Sequence, residues 1–317
     1  MTLKKKLANL LTVLTLLFPL IISAQVHTVE VPKDMPARKA VLSMNPDLAF
    51  SLDLSFMLST EINKRDSWRK LVNNKKMAVG LIDLSDPSNP EYASLNGNHM
   101  MYAASLPKIA VLLAAMDAIE EGTLKDTEEV RKDMWLMISK SNNAATTRTI
   151  DRVGFGKIAS VMEDPRYKFY DREGNGGLWV GKRYAAGGKR VPDPLKGISH
   201  AATVDQVLRF YKKLAYGELI NPDRSLEMLR IMMNPSLHHK FVNTLDRVNP
   251  DAKVFRKSGS WKVYHADSAI VWGEDDRKYI LVALIEDPNG GAICRELVNV
   301  AEKIILEKAD QLAMAKS

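Results

Sequence analysis

Ser105 and Lys108 stand three residues apart in Ala104-Ser105-Leu106-Pro107-Lys108, a stretch that runs on into Ile109-Ala110-Val111-Leu112-Leu113-Ala114-Ala115-Met116. On a helix that spacing puts both side chains on one face, a turn apart. A serine hydroxyl is a poor nucleophile at neutral pH unless a base takes its proton, and a buried lysine can lose its own proton and serve. A helix N-terminus favours the anion that forms beside it. The pattern alone is common: about one chance occurrence is expected in a chain of this length, and Ser67-Trp68-Arg69-Lys70 also fits, in a charged stretch that reads as solvated.

Two further groups give the pair its context. Ser141-Asn142-Asn143 offers a second hydroxyl and a carboxamide two residues on, where a helical pattern breaks and restarts. Ser43-Met44-Asn45 and Ser94-Leu95-Asn96 share that short pattern, so it carries little by itself. Lys257-Ser258-Gly259-Ser260 is the single Lys-Ser/Thr-Gly run, and its glycine lets a ligand lie close against a strand edge. The three groups in this order form a strong joint signal.

The elements that must position these residues follow from apolar periodicity. A first helix is predicted within Asp47 to Ile62, a strand over Met77 to Leu84, and a second strand from Tyr92 to Asn96, ending at Asn96-Gly97-Asn98. From Ile109 the pattern is helical, with a stop at Gly122, a restart near Asp126 capped by Thr127-Glu128-Glu129, and helical character to Ile150. Between Val153 and Gly197 glycine and proline are frequent, which predicts a long irregular binding or active-site loop or a disordered one. Helices resume over Thr203 to Tyr211 and Pro222 to Met233. The C-terminal third holds strand-like runs at Val254 to Ser258, Ser268 to Trp272 and Tyr279 to Ile285, then an amphipathic helix over Ala292 to Leu312. Short connections pair such strands antiparallel. The expected fold class is α+β, an antiparallel sheet flanked by helices with an inserted all-helical lobe. The sheet layer takes residues of about 48–104 and 220–317, and the lobe about 105–219.

Composition fits a globular protein. Of 317 residues, 46% are hydrophobic and 26% charged, enough for a sizeable core. Lys4-Lys5-Lys6, the uncharged run from Leu7 to Ser23 and Ala24-Gln25 read as a secretory signal over residues 1–24, with a spanning anchor as the alternative. This predicts export, to the periplasm or the medium, and a single domain over 25–317 with no membrane span after cleavage; Val26 to Pro46 reads as a leader. Removal of three lysines takes the formal charge from +7 to +4, and no Lys/Arg block of the nucleic-acid-binding kind is present. Cys294 is the lone cysteine, which rules out an internal disulfide and reads as a buried residue of the last helix.

On these residues the chain resembles the penicillin-recognising serine hydrolases, the class A β-lactamases and D-alanyl-D-alanine peptidases, from about Met77 to Ile305, Gly217-Glu218-Leu219-Ile220 included. The resemblance implies Ser105 as the acylated nucleophile, Lys108 as its proton acceptor and Ser141 as the relay to the leaving nitrogen. It implies Asn143 on the substrate amide, Lys257 and Ser258 on the substrate carboxylate, and the backbone N–H groups of Ser105 and Ser260, the latter beyond Gly259, as the oxyanion hole. A nucleophile, a base, two convergent donors and an anion clamp are the parts an acyl-transfer site needs. The expected activity is a secreted β-lactamase-like hydrolase. Alternatives are a cell-wall peptidase or penicillin-binding protein with slow deacylation, and a non-catalytic relic of the same cleft. The expected partner is a small β-lactam or cell-wall peptide, with no nucleic acid, no metal and no cofactor, and the chain is expected to be a monomer.

The sequence departs from the family pattern at three places. Asn142 stands where an aspartate is usual, the connection from Ser105 to Ser141 is short, and the Glu-x-x-Leu-Asn signature of the deacylating glutamate is missing. Glu173, in Tyr170-Asp171-Arg172-Glu173-Gly174, is the first substitute, ahead of Asp171 and Glu163, with a solvated loop carboxylate as the alternative reading. His238-His239 would point apart and make no metal pair. Gly187-Gly188-Lys189 lacks phosphate-loop spacing, and Trp179, Trp261 and Trp272 read as core or cleft wall.

Overall fold

The computed structural model describes residues 30–38 and 48–316; the expected signal over 1–24 lies outside the described residues. A 3₁₀ turn at Pro36–Arg38 is followed by β1 (Ala49–Phe50), α1 (Leu52–Asn63), α2 (Asp66–Asn73), β2 (Met77–Asp83), β3 (Glu91–Leu95) and β4 (Met101–Tyr102). Four helices come next, α3 (Lys108–Glu120), α4 (Glu128–Ser139), α5 (Asn143–Val153) and α6 (Phe155–Glu163). Short strands β5 (Tyr170–Asp171), β6 (Gly176–Gly177), β7 (Trp179–Val180) and β8 (His200–Ala202) lead to α7 (Val204–Ala215), α8 (Pro222–Met232) and α9 (Phe241–Val248). The chain closes with β9 (Lys253–Trp261), β10 (Tyr264–Trp272), β11 (Lys278–Glu286) and α10 (Gly290–Lys316).

The main sheet has the order β1-β3-β2-β11-β10-β9. Its pairings are antiparallel except at the edge, where β1 runs parallel to β3 over two residues. Every residue of β2 is buried, because helices cover both faces of the sheet; such strands read as continuous apolar runs rather than alternating ones. On one face Leu54, Leu58, Phe241, Leu245, Leu297 and Ile304 bring α1, α9 and α10 down on the strands. On the other, Val204 and Leu208 of α7 and the apolar body of α3 form a second core. A Cβ at Gly80 would lie 2.5 Å from Val204 Cγ1 and 2.6 Å from Leu208 Cδ1, so α7 crosses β2 at a distance only glycine allows. Cys294 is buried in α10. Among the described residues, no helix is long and apolar enough to cross a membrane.

The antiparallel sheet flanked by helices and the inserted helical lobe are as expected, and the structure adds detail. The lobe is not all-helical: it holds the two-stranded sheet β5-β6, and its strands β7 and β8 form a second small sheet with β4 of the preceding segment. Three helices stand where none was expected. In α2, Ser67 and Lys70 are exposed while Trp68 is buried. In α6, Ile158, Val161 and Met162 form a helical stripe hidden among the glycines around it. In α9, eight residues bury Phe241, Val242 and Leu245. Part of the stretch read as a leader is docked on the domain: Val31, Met35 and Ala37 are buried, and Asp34 accepts a 3.0 Å hydrogen bond from the Trp272 indole.

Candidate active site

Ser105 lies in the turn before α3, not inside the helix as its spacing predicts, because the helix proper begins at Lys108 behind Pro107. Leu106 N–H donates to Ala103 O at 3.0 Å and Lys108 N–H to Ser105 O at 3.3 Å, which closes a tight turn. Ala104 has φ +51°, a left-handed conformation that costs a non-glycine residue on the order of 1 kcal/mol or more. Two contacts hold it there. The Tyr184 hydroxyl donates to Ala104 O at 3.1 Å, and the turn backs onto β9 at Gly259. A Cβ at Gly259 would overlap Ala103 O and lie 2.7 Å from Ser105 N and 2.8 Å from Leu106 N, so the glycine is required by the approach of the serine turn to the strand.

Lys108 opens α3, whose residues from Lys108 to Ile119 are all buried. Its side chain is fully enclosed. Nζ donates to Ser141 O at 2.7 Å and Asn143 Oδ1 at 2.8 Å, has Ser141 Oγ at 3.4 Å, and lies 4.5 Å from the centre of the Tyr184 ring. Burial pushes its pKa down to about 7. A neutral amine still has two N–H donors for Ser141 O and Asn143 Oδ1, and its lone pair is left to accept a proton.

Ser141 sits at the break between α4 and α5 with φ +53°. The break is built by its neighbours. Asn142 caps α5, its side-chain oxygen accepting from Ala145 N–H at 2.8 Å, so the carboxamide does the capping that an aspartate would do. Asp133 of α4 is buried and receives Arg148 Nε at 3.0 Å and Arg152 Nη1 at 2.5 Å, which clamps the two helices. Lys257 reaches the same hydroxyl from the sheet, its Nζ donating to Ser141 Oγ at 2.9 Å and to Ser258 O at 2.6 Å. Burial, and after it the charge of Lys108, holds the Lys257 ammonium well below the usual lysine range.

β9 is an edge strand with β10 on one side. Asn234 N–H donates to Val254 O from the free side. Strand alternation then turns the N–H groups of Ser258 and Ser260 to that same free edge. Behind the edge, Lys240 donates to Gly259 O at 2.5 Å and Ala266 O at 3.1 Å, and Arg256 pairs with Asp267 at 2.6 Å, both residues buried. These bonds fix the strand that carries Lys257 and Gly259.

Ser105, Lys108, Ser141, Asn143, Lys257, Ser258, Gly259 and Ser260 are thus linked through one set of contacts and one strand edge. Glu173 is not part of it. It stands exposed in the turn between β5 and β6, with its N–H held at 3.0 Å by Asp171 Oδ1 and its carboxylate bonded to no described residue. Glu163 is tied up with Arg172 at 2.8 Å.

The residues beside Lys108 that sequence reasoning missed come from the long irregular stretch. Tyr184 packs against His200 with ring centres 4.3 Å apart. His200 Nε2 lies 3.0 Å from Lys182 O, and burial pushes its pKa down to about 4. Asn143, Tyr184 and His200 line a cleft of about 800 Å³, which Trp261 and Tyr264 wall from the sheet side. Trp261 is a cleft wall, and Trp179 and Trp272 are core. The only signal for Tyr184 in the sequence is an aromatic residue in a glycine-rich loop.

The chain belongs to the β-lactamase enzyme family: the family model Beta-lactamase2 matches residues 63–134 and 130–309. Among solved structures it is similar to PBP-A, with TM-score 0.61 and 17% identity over 84% of this chain and 99% of that one. It is also similar to a β-lactamase from Chitinophaga pinensis, with TM-score 0.62 and 15% identity over 80% of this chain and 99% of that one. A β-lactamase from Xanthomonas campestris gives TM-score 0.62 and 13% identity over 80% and 100% of the two chains. At these identities the likeness is one of fold. No curated protein matches the chain.

Proposed function

We propose that the protein is an exported serine hydrolase that opens β-lactam amides through an acyl-enzyme on Ser105. The observation that carries this reading is Lys108: an enclosed amine with a pKa near 7, three residues from Ser105 and bonded to Ser141 and Asn143. Ser105 Oγ attacks the amide carbonyl as its proton passes to the Lys108 amine. The N–H groups of Ser105 and Ser260 hold the oxyanion, each worth about 3 to 4 kcal/mol of barrier. Ser141 Oγ, in reach of both lysines, gives a proton to the leaving nitrogen and regains one from the Lys108 ammonium. Lys257 and Ser258 take the substrate carboxylate. Asn143 spends its oxygen on Lys108, so its NH₂ is left to donate to the substrate amide.

A second reading, a peptidase or penicillin-binding protein with a long-lived adduct, is favoured by Tyr184. Its ring, rather than a carboxylate, covers Lys108, and Glu173 is bonded to no member of the group. Release of the acyl group then depends on Lys108 as the base for water. A solved variant of PBP-A, which shares this fold, is an acyl-enzyme complex with penicillin G. Steady-state hydrolysis of a chromogenic cephalosporin separates the two. Many turnovers per second support a lactamase; a single stoichiometric burst followed by a trace supports the slow-release enzyme; neither burst nor turnover contradicts both.

A further inference from the structure

One wall of the cleft beside Ser105 carries an arrangement of charge that the acyl-transfer chemistry does not use. Lys182 and Arg190 face each other as an antiparallel bridge. Residues directly opposite in such a pair project to the same side, and like charges there are destabilising. Both line the cleft, with Arg183 between them in sequence and next to Lys182. Arg183 is balanced by Asp151 through its Nε at 2.5 Å. Arg190 donates only to the neutral Gly197 carbonyl, at 2.9 Å, and the Lys182 ammonium is bonded to no described residue. No aspartate or glutamate is among the residues lining the cleft. Two cations are therefore held together at one mouth without a counter-charge. The field reaches inward: burial lowers the His200 pKa most, the hydrogen bond to the Lys182 carbonyl opposes it, and the charges of Lys182 and Arg190 add to the lowering.

The cleft also has an aromatic lining. Trp261 is 57% exposed, and Tyr102 and Tyr264 pack edge to face with ring centres 5.2 Å apart. Asn143, which the acyl-transfer reading puts on the substrate amide, lines this cleft together with these rings and the Lys182–Arg190 pair. Resting on the acyl-transfer reading, we propose that the enzyme selects β-lactams and peptides whose acyl side chain carries a carboxylate, with Lys182 and Arg190 as the residues that recognise it. The apolar part of that side chain packs on Trp261, Tyr102 and Tyr264. The carboxylate supplies the counter-charge the bridge lacks.

A matched pair of ligands tests this: benzylpenicillin and its α-carboxy analogue, which differ by one carboxylate on the acyl side chain. Second-order acylation rates of the full chain are measured by mass spectrometry of the adduct at low salt and again at 0.5 M salt. The expected result is a preference of roughly tenfold for the carboxy analogue at low salt, shrinking at high salt as the pair is screened. Lys182→Met and Arg190→Gln each lower the ratio, and Lys182→Glu inverts it; a variant that acylates with either ligand is folded, so the ratio is readable. Equal rates for the two ligands in the parent, or a ratio unchanged in Lys182→Glu, overturns the charge selection and leaves the acyl-transfer reading standing. No adduct with either ligand removes the acyl-transfer reading and the selection with it.

Discussion

The Ser141 hydroxyl lies 2.9 Å from Lys257 Nζ and 3.4 Å from Lys108 Nζ, so a single oxygen bridges the helical lobe and the sheet through two buried amines. Burial lowers the pKa of both amines, and Lys108 stands at about 7, so the pair sheds its mutual repulsion when Lys108 loses its proton. The same shift makes Lys108 a base at neutral pH.

The rate of acylation is therefore expected to rise with pH through a midpoint near 7, as the Lys108 ammonium gives way to the amine. Lys108→Met should lose about 10² to 10⁴ in rate, the usual worth of a general base. Stability carries the same signature. Between about pH 7 and the ordinary lysine value of 10.5 the unfolded chain binds the proton that the folded chain has released, so stability rises with pH across that window. In Lys108→Met that rise should flatten. Tyr184→Leu, which opens the amine to water, should move the acylation midpoint upward, whereas Tyr184→Phe keeps the ring and leaves it in place. Stopped-flow acylation and urea melts across pH 6 to 10 read both effects.

Gly259→Ala tests the contact between the serine turn and the strand edge. The new methyl would overlap Ala103 O and press on Ser105 N, both backbone atoms that cannot step aside as a side chain can. Overpacking of this kind costs about 1 to 3 kcal/mol. The melting temperature should fall, and acylation should slow by tenfold or more because the oxyanion donors on the two backbones are driven apart. A variant as stable and as active as the parent would mean that the turn and β9 do not meet as described.

Glu173→Gln should leave acylation and release within about twofold of the parent, since its carboxylate is exposed in a hairpin turn and bonded to no member of the candidate site. Accumulation of the adduct, with release slowed by 10² or more, would instead make Glu173 the base for water.

The candidate groups are legible in the sequence because each is local. Ser105 and Lys108 are three residues apart, Ser141 and Asn143 two, and Lys257 to Ser260 are consecutive on one strand. The long strands and helices were legible for the same reason: β10, β11 and α10 repeat their apolar pattern over many residues. What was not legible depends on chain segments meeting at a distance. Tyr184 reaches Ala104 across eighty positions of sequence, and the bridge of Lys182 to Arg190 exists only because the glycine-rich loop folds back on itself. The eight residues of α9 offer too few turns to show a period. The spacing of Ser105 and Lys108 predicts helix at a turn, and only the left-handed Ala104 and the close approach of Gly259 reveal otherwise.

The most direct measurement of the central claim is intact-protein and peptide mass spectrometry after incubation with a penicillin. The account predicts one covalent adduct of the opened drug, located on Ser105, forming faster at pH 8 than at pH 6 and absent in Ser105→Ala. A protein unmodified at millimolar penicillin, or an adduct that persists in Ser105→Ala, would contradict it.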